Sequence, residues 1–170
     1  MKSGASTLIL NGVNTFTGDI AINAGTLQIG TNATANGAKL NGGNYAGNIF
    51  IAAGSSLDFQ TDADQVLSGV ITGGGNLLKR YTGTLTLSGN NTYTGKTTLG
   101  ALTNTASPTL VVSSFNSVSN PVVSSSLGRP ATVANGTIDL GSNNSGPNPV
   151  LKYVGDGETT DRVINFMFNQ

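Results

Sequence analysis

Residues 79–95 read KRYTGTLTLSGNNTYTG, and their reading decides the fold. Leu85-Thr-Leu87 alternates apolar and polar groups, the two-residue period of a strand. Gly83, Gly89, Gly95 and the pair Asn90-Asn91 bracket it with residues that favour turns. The same pattern stands at the start of the chain, where residues 2–18 read KSGASTLILNGVNTFTG. With Lys2 aligned on Lys79, nine of the seventeen positions are identical: Lys2/Lys79, Thr7/Thr84, Leu8/Leu85, Leu10/Leu87, Gly12/Gly89, Asn14/Asn91, Thr15/Thr92, Thr17/Thr94 and Gly18/Gly95. Phe16 faces Tyr93 in the same alignment. A shorter echo relates Phe16–Gly25 to Tyr45–Gly54, each running on into a strand-like segment, Leu27–Ile29 and Leu57–Phe59. The smallest unit is therefore about 20 to 30 residues, the period of solenoids.

Working outward, Leu8–Leu10, Ile20–Ile22, Ile49–Ile51, Ile138–Leu140 and Val163–Phe166 repeat the strand signal between Gly, Asn, Asp and Ser. No window carries apolar groups at i, i+3, i+4 and i+7 over three turns, so almost no helix is expected. Short, evenly spaced strands with Gly-Asn corners describe a parallel coil whose rungs stack about 4.8 Å apart. Like residues then stand above like. That favours Leu, Ile and Val ladders inside, favours Thr, Asn and Ser ladders at corners, and tolerates few charges. At roughly 20 to 25 residues per rung, the 170 residues predict about seven rungs. All five prolines, Pro108, Pro121, Pro130, Pro147 and Pro149, fall between residues 101 and 150, where Ser is also dense. Proline blocks ladder hydrogen bonds and marks corners or loops. The expected organisation is one unit over 1–170, with 101–136 as a Ser/Pro-rich, loop-bearing insertion within it.

Composition excludes several classes of function. The chain has no His, no Cys and no Trp. There is thus no Ser-His-Asp triad in cis, no thiol nucleophile, no disulfide framework and no imidazole or cysteine metal site. Eight basic and eight acidic residues give a net charge of zero, so nothing marks the chain for nucleic acid. No apolar run approaches the roughly 20 residues that span a bilayer, and no apolar leader follows Met1-Lys-Ser-Gly4. No membrane insertion by this segment and no secretory signal peptide are expected.

The segment Gly83–Gly95, its lead-in Leu67–Lys79 and the first copy Thr7–Gly18 resemble the autotransporter-associated β-strand repeat of large bacterial surface and secreted passenger proteins. The later elements Ser126-Leu-Gly128, Leu151-Lys-Tyr153 and Glu158–Asn165 fit the same pattern, so the resemblance touches nearly the whole chain. It implies a right-handed, single-stranded parallel β-helix, part of a longer passenger at the bacterial surface or outside the cell. Against that pattern, Lys2 is read as entering in mid-motif, and neither a barrel nor a terminal cap is expected within these 170 residues.

Candidate chemistry rests on carboxylates, since paired acids do the work in glycan hydrolysis. Asp156, Glu158 and Asp161 beside Arg162 form the densest charge cluster, and they are the catalytic candidates if there is catalysis. The plainer reading is a structural turn in which Asp161 and Arg162 contact backbone. Asp58, Asp62 and Asp64 lack the Gly and terminal Glu of an EF-hand loop and read as a solvated corner. Gly73-Gly-Gly75 is not followed by the Lys-Ser/Thr of a phosphate loop. No G-x-S-x-G elbow occurs, and no motif pairs a Ser with Lys79, Lys96 or Lys152. Thr84, Thr86, Thr92, Thr94, Thr97 and Thr98 form either a flat ligand-binding array or a plain outward ladder. Tyr45, Tyr81, Tyr93 and Tyr153 either share a sugar-stacking face or fill recurring core positions. The Asn-x-Ser/Thr sequons at Asn32, Asn90, Asn135 and Asn143 are expected by chance in so Asn- and Thr-rich a chain.

The expectations that follow are a structural, adhesin-type stalk segment without cofactor or metal. It would self-associate through uncapped solenoid ends, most readily through Phe166–Phe168, because unpaired strand edges recruit partners. A glycan-binding module or weak carboxylate-dependent hydrolase is the alternative.

Overall fold

A computed structural model describes residues 1–32, 36–100, 106–122, 124–142 and 148–168. Residues 101–105 and Val123 of the expected insertion, the Asn143 sequon, Pro147 and the last two residues of the tail lie outside the described residues. In chain order the first strands are β1 (Thr7–Leu10), β2 (Val13–Asn14), β3 (Ile20–Ile22), β4 (Thr26–Ile29), β5 (Lys39–Leu40), β6 (Asn44–Tyr45), β7 (Ile49–Ile51) and β8 (Ser56–Phe59). They continue as β9 (Gln65–Leu67), β10 (Ile71–Gly73), β11 (Asn76–Lys79), β12 (Thr84–Leu87), β13 (Thr97–Leu99), β14 (Thr109–Val112), β15 (Ile138–Ser142), β16 (Val150–Tyr153) and β17 (Ile164–Phe168). The helical residues are a 3-10 turn at Asn41–Gly43 and a single turn, α1, at Val133–Gly136, whose N-cap Thr132 accepts the Asn135 amide. Among the described residues the chain is all-β.

Every strand pairing among the described residues is parallel. Seven strands stack in the order β1-β4-β8-β11-β13-β15-β17, five as β16-β14-β12-β9-β6, three as β10-β7-β3, and two as β2-β5; no sheet closes into a barrel. The chain leaves the seven-stranded sheet and re-enters it one coil later, so that Leu77 stacks on Leu57 and Thr97 on Leu77. The echo seen in the sequence is real geometry, since Ile20 faces Ile49 and Ile22 faces Ile51.

Stacked register builds two inward columns. One runs Leu8, Leu27, Leu57, Leu77, Thr97, Ile138 and Ile164. The other runs Leu10, Ile29, Phe59, Lys79, Leu99, Leu140 and Phe166. Between their ends these columns are buried and form the spine of one hydrophobic core. Burial of such a Leu or Ile stabilises by about 1.5–3 kcal/mol. Inward and outward residues alternate because successive side chains in a strand point to opposite faces.

The two copies of the long repeat do not lie on the same face. Thr7–Leu10 sits in the seven-stranded sheet and Thr84–Leu87 in the five-stranded one. Three coils carry Thr7 to its stacked equivalent Asn76, through Thr26 and Ser56. The sequence repeat instead matches Thr7 to Thr84, past the end of the strand that Asn76 opens, so the second copy begins one face further on. The early coils differ in length: the step from Thr7 to Thr26 is 19 residues, that from Thr26 to Ser56 is 30 and that from Ser56 to Asn76 is 20. The motif fits either face because both demand the same inward alternation. The Ser- and Pro-rich stretch also contributes a regular strand, β14, which pairs with β12 and β16.

Candidate functional site

The acidic cluster near the C-terminus meets the Ser-rich stretch, although the two stand far apart in the sequence. Residues 158–162 lie along residues 115–119 and exchange bonds with them at almost every position. Glu158 accepts the Phe115 amide. Thr160 donates its hydroxyl to the Asn116 carbonyl at 2.6 Å. Asp161 accepts the Val118 and Ser119 amides at 2.5 and 2.8 Å, and the Ser119 hydroxyl as well. Arg162 is buried and donates to three carbonyls: Phe115 at 2.8 Å, Leu127 at 3.0 Å and Gly136 at 2.8 Å. Its remaining nitrogen, Nη2, is buried without a protein acceptor. One guanidinium thus ties three separated backbone segments together, a task its planar fork of donors suits.

This arrangement limits what the three candidate carboxylates do. The Ser119 hydroxyl and the Val118 and Ser119 amides hold the Asp161 carboxyl down to about 2, because each bond favours the charged form. Glycoside hydrolysis needs one acid kept protonated beside a second carboxylate across a cleft. Asp161 is held ionised and exposed, and Glu158 is occupied by a backbone amide. Asp156 stands exposed in the preceding turn. Two concavities, of about 310 and 390 Å³, lie at the N-terminal and C-terminal coils, and none of the three acids lines either.

The rest of the acids do similar structural work. Asp19 accepts the Asn48 amide at 2.7 Å, Asp62 the Gly37 amide at 2.9 Å and Asp64 the Thr84 amide at 2.7 Å. Each bond crosses from one coil to the next. Asn48, Asn76 and Asn91 repeat the device, accepting the amides of Val70, Lys96 and Ile71. Asp58 is no solvated corner: it lies within β8, 1% exposed, against Arg80 and Gln60. An outward position on a strand becomes buried there because the neighbouring coil's long side chain folds over it. Asp139 likewise holds Lys96 at 2.5 Å and Asn165 at 2.9 Å. Among the described residues no group of three acidic side chains could hold a metal ion.

The tyrosines do not share an outer face. Tyr45, Tyr81 and Tyr93 are buried, and Tyr153 stacks on Phe115 with ring centroids 5.3 Å apart. Burial raises the Tyr93 phenol, whose hydroxyl lies 2.8 Å from that of Thr97. Thr97 consequently points inward, which removes it from any exposed threonine row. Sequence reasoning missed Lys79. It occupies the inward column between Phe59 and Leu99, 2% exposed, and its ammonium donates to the carbonyls of Thr61, Tyr81 and Thr82 at 3.1, 2.6 and 2.7 Å. Lys2, its partner in the repeat, donates to the carbonyls of Gly4 and Ala24. The shared Lys at the head of both copies was the available signal.

Comparison with known proteins agrees with the coil and its repeats. The family described as passenger-associated-transport-repeat matches residues 2–29 and 77–101. The adhesin BmaC autotransporter of Brucella suis biovar 1 (strain 1330) is 34% identical over 175 aligned residues, which cover 95% of this chain and 5% of the adhesin. No solved structure matches the chain. Among the described residues no helix is long and apolar enough to cross a membrane.

Proposed function

This chain belongs to the autotransporter-associated repeat proteins, and on that premise we propose that it is a stalk segment of a bacterial surface passenger. The observation that carries the reading is the coil-to-coil stapling by acids and asparagines described above. Seven of the eight acidic side chains (Asp19, Asp58, Asp62, Asp64, Asp139, Glu158 and Asp161) are engaged with backbone amides or neighbouring side chains. Such a surface resists local opening, because each coil is held to its neighbours by ladder bonds and by side chains.

In this reading residues 1–170 form one right-handed, single-stranded parallel β-helix of about seven rungs, the number of strands in its longest sheet. The stretch 101–136 decorates it, and the clasp of residues 158–162 fixes part of that decoration for display outside the cell. The coil extends, resists proteolysis and self-associates through its end coils. It carries no catalytic centre.

Two assays on the same preparation test this. The folded chain is exposed to a broad-specificity protease, and to chromogenic glycosides, esters and phosphoesters beside an Asp156→Asn/Glu158→Gln/Asp161→Asn variant. Survival of the coil with no turnover above blank is expected. Rapid cleavage within the strands would overturn the stalk. Turnover lost in the variant would place a hydrolytic site on the clasp, and turnover kept by the variant would place one elsewhere; either outcome overturns a stalk without catalysis.

A further inference from the structure

Two lysines face into the coil, and each closes on backbone carbonyls. Lys79 is buried in the inward column, stacked on Phe59. Its ammonium meets three carbonyl oxygens, those of Thr61 at 3.1 Å, Tyr81 at 2.6 Å and Thr82 at 2.7 Å. An ammonium carries three donors, so the oxygens match its protons one for one. They come from two coils. Tyr81 and Thr82 lie in the turn after β11, and Thr61 lies in the turn after β8, one coil earlier. Between the two turns the Arg80 amide donates to the Phe59 carbonyl at 2.9 Å.

Lys2 repeats the arrangement on another face. It bridges to Ile22 of β3, outside the seven-stranded sheet that holds Lys79. Like Lys79, it donates to the carbonyl two residues further on, here that of Gly4, and to one from an adjacent coil, that of Ala24 at 2.7 Å. The two lysines are equivalent in the repeat, so a cation meets turn carbonyls at that position whichever face the winding gives it. The reason is physical. Buried carbonyls without a donor lose their hydration uncompensated, and converging carbonyl oxygens stand in for the hydration shell of a singly charged cation. Calcium takes about six to eight oxygens, carboxylates among them. No carboxylate pairs with the Lys79 ammonium among the described residues, although Asp64, Asp58 and Asp62 lie near enough to favour its charge.

We propose that the carbonyls of Thr61, Tyr81 and Thr82 form a site for a singly charged, ammonium-type cation, filled in this chain by its own Lys79 and open to a free alkylammonium ion once that side chain is cut short. The ion ties two successive turns through one centre. A free ion stabilises a fold only by mass action, whereas a tethered one is always present and no chelator removes it. A stalk built this way keeps these coils closed at any calcium level outside the cell. That consequence rests on the stalk reading above; the cage itself does not.

Truncation tests the cage. Lys79→Ala removes a fragment with the shape of n-propylammonium. At pH 6 Lys79 is an ammonium, since burial lowers it only to about 7. At that pH the variant is expected to unfold at lower urea than the wild type. n-Propylammonium chloride is expected to restore much of this loss, saturably. Tetramethylammonium chloride, which has the charge and no N–H donor, should restore none, and the wild type should respond alike to both salts. Equal effects of the two salts on Lys79→Ala would overturn the cage. A second measurement needs no variant to fold. In nuclear magnetic resonance of the isotope-labelled wild type, the Lys79 ammonium should hold its three protons against solvent exchange while exposed lysines lose theirs; rapid exchange at Lys79 would overturn the cage as well. The wild-type urea midpoint should be the same in calcium and in a chelator. A fall in the chelator would overturn closure independent of calcium while leaving the cage standing.

Discussion

Gly95→Ala and Gly18→Ala make the same change at the same position of the repeat, and the structure requires opposite outcomes. At Gly95 the new Cβ would lie 2.0 Å from the Gly75 carbonyl oxygen and 2.4 Å from its carbonyl carbon. Since Cβ atoms stay beyond 3.0 Å of such neighbours, two coils must part by about 1 Å where their spacing is about 4.8 Å. Overpacking of this kind costs about 1–3 kcal/mol. The displaced backbone also carries two inter-coil bonds, from the Lys96 amide to Asn76 at 2.9 Å and from the Leu77 amide to the Lys96 carbonyl at 3.0 Å. Weakening these adds about 1 kcal/mol each. The expected loss is about 3–5 kcal/mol, or roughly 6–20 °C in Tm for a chain of this size. At Gly18 nothing is met and φ is ordinary, so Gly18→Ala should lie within about 0.5 kcal/mol of the wild type or gain slightly from a stiffer unfolded chain. Urea unfolding followed by far-UV circular dichroism, below the concentration of self-association, reads both. Equal midpoints for the two variants would refute the coil stacking at Gly95 and the open position at Gly18.

Two further predictions concern pH. The Asp161 carboxyl is held at about 2 in the fold against about 3.9 when unfolded; its contribution is present above pH 4 and lost as pH falls towards 2. Asp161→Asn should therefore flatten the acid limb of a stability–pH profile measured by urea midpoints, and an unchanged limb would contradict the clasp. Burial, the leading influence, lowers the Lys79 ammonium to about 7, while Asp64, Asp58 and Asp62 pull the other way. The unfolded chain keeps that proton up to about 10.4. Between pH 7 and 10 the unfolded state thus binds more protons, and stability rises with pH across that window. Lys79→Met should abolish the rise in the same measurement; persistence of the slope would mean that Lys79 titrates in solvent.

The class of fold is legible in the residues alone, because strand period and corner chemistry are local. Leu85-Thr-Leu87 alternates whether or not its neighbours are known, and Gly and Asn mark corners by backbone preference. The echo at Phe16 and Tyr45 even carries the register of β3 on β7. Strands whose alternation is broken by glycine or by a charge, such as β10 at Ile71–Gly73 and β11 with its terminal Lys79, read only as a lead-in. Which face each segment occupies is a matter of winding, since it depends on the accumulated length of every preceding coil; hence two near-identical repeats lie on different sheets. The same holds for the polar groups. Asp58 reads as a solvated corner in the sequence and is buried because Arg80 of the next coil folds over it, whereas Lys79 is buried because the winding turns it into the inward column between Phe59 and Leu99. The clasp is half legible, as a turn in which Asp161 and Arg162 meet backbone. Its partners, Phe115 to Ser119, Leu127 and Gly136, are not, since no local pattern links segments that only the winding of the coil brings together.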